Sequence, residues 1–200
     1  MTGSGTVQVP SFSGYGGATL HLAIDPAEHQ RRQAAGIGPV TGHGFGGLDH
    51  LMALPAGMPV PVDSLTREQQ KYVRRAPAAI CTIEDGQVTR HAIRPCRVAL
   101  ATVHSPSACK TALESASRFA PFCARRVVIR RRTHWPESLT EFDFYGIGVS
   151  FENGDGTLET LVEPEPWIPK RHTPVAWWFA ERAYAAYLEH AATNPAGAAA

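Results

Sequence analysis

Lysine is scarce in this chain: Lys71, Lys110 and Lys170 are the only three of its nineteen basic residues that are not arginine. The arginine excess reads as a bias of the whole composition, of the kind found in GC-rich bacterial genomes, so an isolated arginine is weak evidence for a site. Neither sign of charge dominates. The net charge of +1 provides no overall field toward nucleic acid or a membrane surface. Long apolar runs are missing as well, since the most apolar segment, Val175–Ala180, stops at Glu181 and Arg182, far short of the ~18 residues a spanning helix needs. Residues 1–17 lack the basic start and apolar stretch of a secretory leader, and the expectation is a cytoplasmic protein with no membrane association. The four cysteines, Cys81, Cys96, Cys109 and Cys123, form no C-x2–4-C unit, and the nine histidines form no H-x3–5-H unit. Compact zinc-binding grammar is therefore absent, and the cysteines are expected to be buried free thiols on three strands and a helix. No G-x-S-x-G nucleophile turn occurs. No catalytic residue, cofactor or metal ligand is assigned.

What is present is unevenly spread. Residues 1–62 hold twelve of the eighteen glycines and six prolines but five charged residues. Gly and Pro are both costly inside helices and strands, so 1–17 is expected to be disordered and 37–62 to be a long loop. Between them, Thr19–Ile24 alternates like a strand, and Asp25-Pro-Ala-Glu28 offers an N-cap, a first-turn proline and a capping carboxylate. Thr66 and Gln69 make a second capping box. Asp85-Gly86 between Ala79–Glu84 and Gln87–Ile93 is a two-residue hairpin signal. Strands are expected at Cys96–Val103, Val127–Arg131, Phe142–Phe151 and Leu158–Val162, with helices after Ser105-Pro106 and after Thr173-Pro174. The order β-α-α-β-β-β-α-β-β-β-α predicts one α+β domain over 18–192. Its architecture would be a single, mostly antiparallel sheet of six or seven strands, with three or four helices packed on it and a disordered tail at 193–200.

Charge is segregated along the second half. Arg118, Arg125, Arg126, Arg130, Arg131 and Arg132 follow one another with no acid between them, and residues 133–169 then carry eight carboxylates and no Lys or Arg. One reading makes Arg126, Arg130, Arg131 and Arg132, with Trp135 available to stack, a grip for the phosphates of DNA or RNA. The competing reading pairs these arginines across strands with Glu141, Asp143 or the acids of Leu158–Val162.

Three further features bear on function. Gly42–Gly47 fits G-x-G-x-x-G but lacks the preceding strand that a dinucleotide site requires, and it reads as a loop or lid. Trp177, Trp178, Tyr184 and Tyr187 give the last helix so wide an apolar arc that it either lies in the core or docks another protein or a second copy. The first eight expected elements come in an order similar to that of acyl-CoA-dependent N-acetyltransferases. The pyrophosphate loop of that family would fall at Thr102–Ser107, where this chain has no glycine. The leading expectation is a small regulatory or accessory binding protein that contacts nucleic acid through the arginine strand. A non-catalytic interaction subunit and a small acyltransferase-like enzyme are the alternatives.

Overall fold

The computed structural model describes residues 6–12, 17–41, 44–132, 136–169 and 171–194. The chain forms two compact units. The first comprises residues 1–23, 98–170 and 186–200, and the second comprises 24–97 and 171–185.

The first unit is organised on a six-stranded sheet: β1 (Val7–Phe12), β2 (Ala18–Ile24), β6 (Cys96–Ser105), β7 (Ala124–Ile129), β8 (Ile147–Glu152) and β9 (Leu158–Val162), in that spatial order. The pairs β1–β2 and β8–β9 are antiparallel, whereas β6–β7 and β7–β8 are parallel. Helices α4 (Lys110–Ser117) and α5 (Pro136–Phe144) make the two crossovers and pack on the sheet. Val127, Val128 and Ile129 of the central strand are all buried, as expected of a parallel strand covered on both faces.

The second unit holds α1 (Pro26–Ala34), α2 (Gly44–Met52), α3 (Arg67–Val73) and a separate three-stranded antiparallel sheet. That sheet is built from β3 (Pro59–Pro61), β4 (Cys81–Glu84) and β5 (Gln87–Arg90), ordered β3-β5-β4. Leu48, Leu51, Leu54, Val73, Ile80, Val88 and Trp177 pack as its core. Helix α6 (Pro174–Thr193) begins in this unit, with Thr173 Oγ1 accepting from the Ala176 N–H at 3.1 Å.

The local signals of the sequence appear where expected. The Asp85-Gly86 turn has φ of 50° and 74°, the pair of left-handed residues a type I′ hairpin requires, and Glu84 faces Gln87 across it. Thr66 and Gln69 form both bonds of the capping box on α3.

Five expectations need correction. The α+β class stands, but the strands form two sheets, one of them mixed, and six α-helices occur among the described residues. Residues 7–12, inside the segment expected to be disordered, form β1. The long loop over 37–62 contains α2 and β3. Phe142–Phe151 is not one strand: α5 ends there, and Gly146, at φ 64°, turns the chain into β8. The sequence carries the matching asymmetry, Pro136 at the start of α5 and Gly146 just past its end. Finally, Cys109 is exposed, while Cys81, Cys96 and Cys123 are buried, and all four are free. Burial pushes the Cys96 and Cys123 thiols up to about 12. Among the described residues, no helix is long and apolar enough to cross a membrane.

Candidate functional site

The second unit is built around buried charge. Helix α1 is strongly polar, yet Glu28 and Arg32 are 2 % and 0 % exposed, and Glu181 of α6 is 0 % exposed. Asp25 caps α1 by accepting from the Glu28 N–H at 2.9 Å. The Glu28 carboxylate does not complete the capping box. It accepts from Arg31 (2.7 and 2.8 Å) and from Arg32 Nε (2.7 Å) instead. Arg32 then donates two parallel bonds to Glu181, at 2.7 and 2.8 Å, the bidentate geometry that makes such pairs strong. Its Nη2 also donates to the Ile93 carbonyl at 2.9 Å, and its guanidinium lies 5.3 Å from the Tyr184 ring centroid. Glu181 also accepts from the Val40 N–H and from the Trp177 indole Nε1, both at 2.8 Å. Two carboxylates meet two guanidiniums, so the network closes neutral.

Burial alone would push the Glu28 carboxyl up, but the hydrogen bonds and charges of Arg31 and Arg32 outweigh it and hold the group below its ordinary 4.5. A carboxyl depressed by folding contributes stability that is fully present above pH about 4.5 and is lost as pH falls through the depressed native value. Chemical denaturation between pH 7 and pH 2 should therefore show an acid loss that Glu28→Gln reduces. An equal loss in the variant would show that this network does not carry it.

The network sets one wall of a cavity. It fixes the Trp177 indole through Glu181 and the backbone of Ile93 through Arg32. Met52, Arg90, Ile93, Arg94, His172 and Trp177 line a recess of about 300 Å³, at the lower end of volumes usual for small-molecule sites. The Arg90 guanidinium lies over the Trp177 ring, 5.1 Å from its centroid, and its buried Nε has no hydrogen-bond partner. Burial pulls both Arg90 and Arg94 below the ordinary arginine value, although both remain charged at neutral pH. Among the described residues no carboxylate lies within ion-pair distance of either. The contrast with Arg31 and Arg32 is sharp: in the same unit two arginines are fully answered, and these two half-buried ones meet no described acid. A second cavity, of about 310 Å³ by His50, Lys71, Tyr72 and Arg75, has its own carboxylate, Glu68, in its lining.

The arginines Arg126, Arg130, Arg131 and Arg132 lie in the first unit. Arg126 is half-buried, and its Nη2 is 3.5 Å from Thr102 Oγ1. Arg130 pairs with Glu152 at 2.9 Å, and Arg132 pairs with Glu159 while lying over the Phe151 ring. Arg131 is exposed. Trp135 lies outside the described residues, as do Gly42 and His43 of the glycine-rich segment. The partners of Arg130 and Arg132 are acids of β8 and β9 rather than Glu141 and Asp143, which α5 carries away from the strand pairing. Trp177, Tyr184 and Tyr187 are buried and Trp178 is half-buried, so most of the aromatic arc of α6 is taken up by the chain's own packing. Thr102–Ser107 spans the end of β6 and the turn toward α4, where Ser105 Oγ donates to the Ser107 carbonyl at 2.9 Å.

Sequence reasoning missed Glu28, Arg32, Glu181, Arg90 and Arg94. The signals available were the i,i+4 spacing of Glu28 and Arg32 and the single acid Glu181 within Trp-Trp-Phe-Ala-Glu-Arg-Ala-Tyr. Nothing comparable marked Arg90 or Arg94. Comparison with protein-family models, curated proteins and solved structures finds no match to the chain.

Proposed function

We propose that the protein is a binding module for a small anionic molecule, received in its second unit by Arg90 and Arg94 beside Trp177. One observation carries this reading: two half-buried arginines line a cavity with no carboxylate among the described residues in ion-pair distance of either, and one of them has an orphaned buried donor. A buried, unmet donor costs about 1–3 kcal/mol, and more for a charged group. Such a group calls for an explanation, and an acceptor brought by an outside partner is the one proposed for Arg90. The ion-paired framework of Glu28, Arg32 and Glu181 serves this role by holding Trp177 and Ile93 in place before the ligand arrives. Calorimetric titration of the full chain with small carboxylates and phosphates, alongside an Arg90→Ala/Arg94→Ala variant, tests it.

A second reading, a regulatory or accessory role on DNA or RNA, is favoured by the exposure of the arginine stripe. Arg130 and Arg132 are 74 % and 53 % exposed in spite of their ion pairs. Solvent-screened pairs of this kind are worth about 0–1 kcal/mol, little enough to be exchanged for phosphates. They follow the carboxyl end of β7, the edge at which parallel sheets receive ligands. If this surface binds nucleic acid, fluorescence anisotropy with duplex and single-stranded oligonucleotides should give an affinity that falls steeply with salt. An Arg126/Arg130/Arg132→Ala variant should lower the salt slope by up to about one unit for each phosphate it no longer neutralises. Indistinguishable curves for wild type and variant end this reading.

A further inference from the structure

Resting on the anion-binding reading, we infer that the ligand is a carboxylate carried on an apolar body, and not a phosphorylated molecule. The lining decides between the two. Among the described residues, the lining side chains with donors to offer are Arg90, Arg94 and His172, and the others are Met52, Ile93 and Trp177, whose indole N–H is already given to Glu181. Phosphate sites are usually cradled by several backbone N–H groups at a helix N-terminus or in a glycine-rich turn, because three oxygens need satisfying at once. Among the described residues, no glycine, serine or threonine lines this recess. A carboxylate asks for less. Its two oxygens lie in one plane and match the planar fork of a guanidinium. With the indole over one face of Arg90, a carboxylate would have to meet its N–H groups edge-on.

The apolar share of the wall specifies the remainder of the ligand. Ile93 is 36 % exposed, a β-branched side chain left uncovered at the recess, and Met52 is half-buried beside it. Methionine adapts its shape and its thioether makes favourable contacts with aromatic rings. A short hydrocarbon or aromatic body joined to the carboxylate would cover both residues. Inorganic anions would leave them wet.

The test uses the full chain and four probes: 3-phenylpropanoate, its uncharged amide, phenyl phosphate and inorganic phosphate, each titrated calorimetrically. The expected result is saturable 1:1 binding of 3-phenylpropanoate, with the amide and inorganic phosphate weaker by roughly tenfold or more, since a charged hydrogen bond and an apolar body each contribute that much. Arg94→Gln, at a half-buried position, should weaken 3-phenylpropanoate by roughly 10- to 100-fold. Met52→Ala should weaken it by roughly tenfold and leave inorganic phosphate unchanged. Tighter binding of phenyl phosphate than of the carboxylate would overturn the ligand class while leaving an anion site in place, and so would equal affinities for phenyl and inorganic phosphate. Binding of the amide as tight as that of the acid, or no heat from any probe, would overturn the anion-binding reading itself. Thermal midpoints of both variants, measured without ligand, confirm that they fold.

Discussion

Replacing Glu181 by alanine should lower the free energy of unfolding by about 3–5 kcal/mol, the cost of breaking a buried ion pair by removing one partner. Three groups lose their acceptor at once: Arg32, the Trp177 indole and the Val40 N–H. Glu28 remains beside Arg32, so the guanidinium keeps one counter-charge and the loss stays within that range. Glu181→Gln keeps an acceptor for the indole but loses the charge, and should fall between the alanine variant and the wild type. Glu189→Ala, on an exposed position of the same helix, is the control and should stay within about 0.5 kcal/mol. Urea midpoints decide it. A Glu181→Ala midpoint no lower than that of Glu189→Ala would mean that the network is not what holds Trp177 and Ile93.

Loss of Arg90 and Arg94 together should weaken anion binding strongly. Each charge-assisted hydrogen bond is worth about 1.5–3 kcal/mol, so the Arg90→Ala/Arg94→Ala variant should bind its best ligand roughly 100-fold or more weakly. Arg130→Ala/Arg132→Ala should leave that affinity unchanged. Stability separates a binding role from a structural one. Arg94 contributes a desolvated charge with no counter-ion among the described residues, so Arg94→Ala in the absence of ligand should be as stable as the wild type or more so. A clear fall in its melting temperature would assign Arg94 to the framework. These expectations are opposite in sign, which makes the single variant informative even without a known ligand.

What could be read from the sequence was local. The hairpin at Asp85-Gly86, the caps at Asp25 and Thr66 and the start of the last helix each depend on residues within a few positions of one another, and each appears in the structure. Pairing partners are not local. The split of β3, β4 and β5 into their own sheet, and the parallel run β6-β7-β8, depend on contacts that no dipeptide encodes. The same distinction hid the candidate site. Arg32 and Glu181 are 149 residues apart, so the capping signature at Asp25–Glu28 accounted for Glu28 without revealing its real partners. The arginine stripe was visible because its charges are clustered in the chain, whereas Arg90 and Arg94 become notable only once the fold leaves them half-buried with no described carboxylate in ion-pair distance.

Whether an anion meets Arg90 and Arg94 beside Trp177 is addressed most directly by side-chain nitrogen NMR. In a two-dimensional spectrum of the arginine Nε–H and tryptophan Nε1–H groups, titration with 3-phenylpropanoate should move the Arg90 and Trp177 signals together and saturably. Variants Arg90→Lys and Trp177→Phe provide the assignments. Shifts confined to Arg130, Arg131 and Arg132, or a spectrum that does not change, would contradict the account.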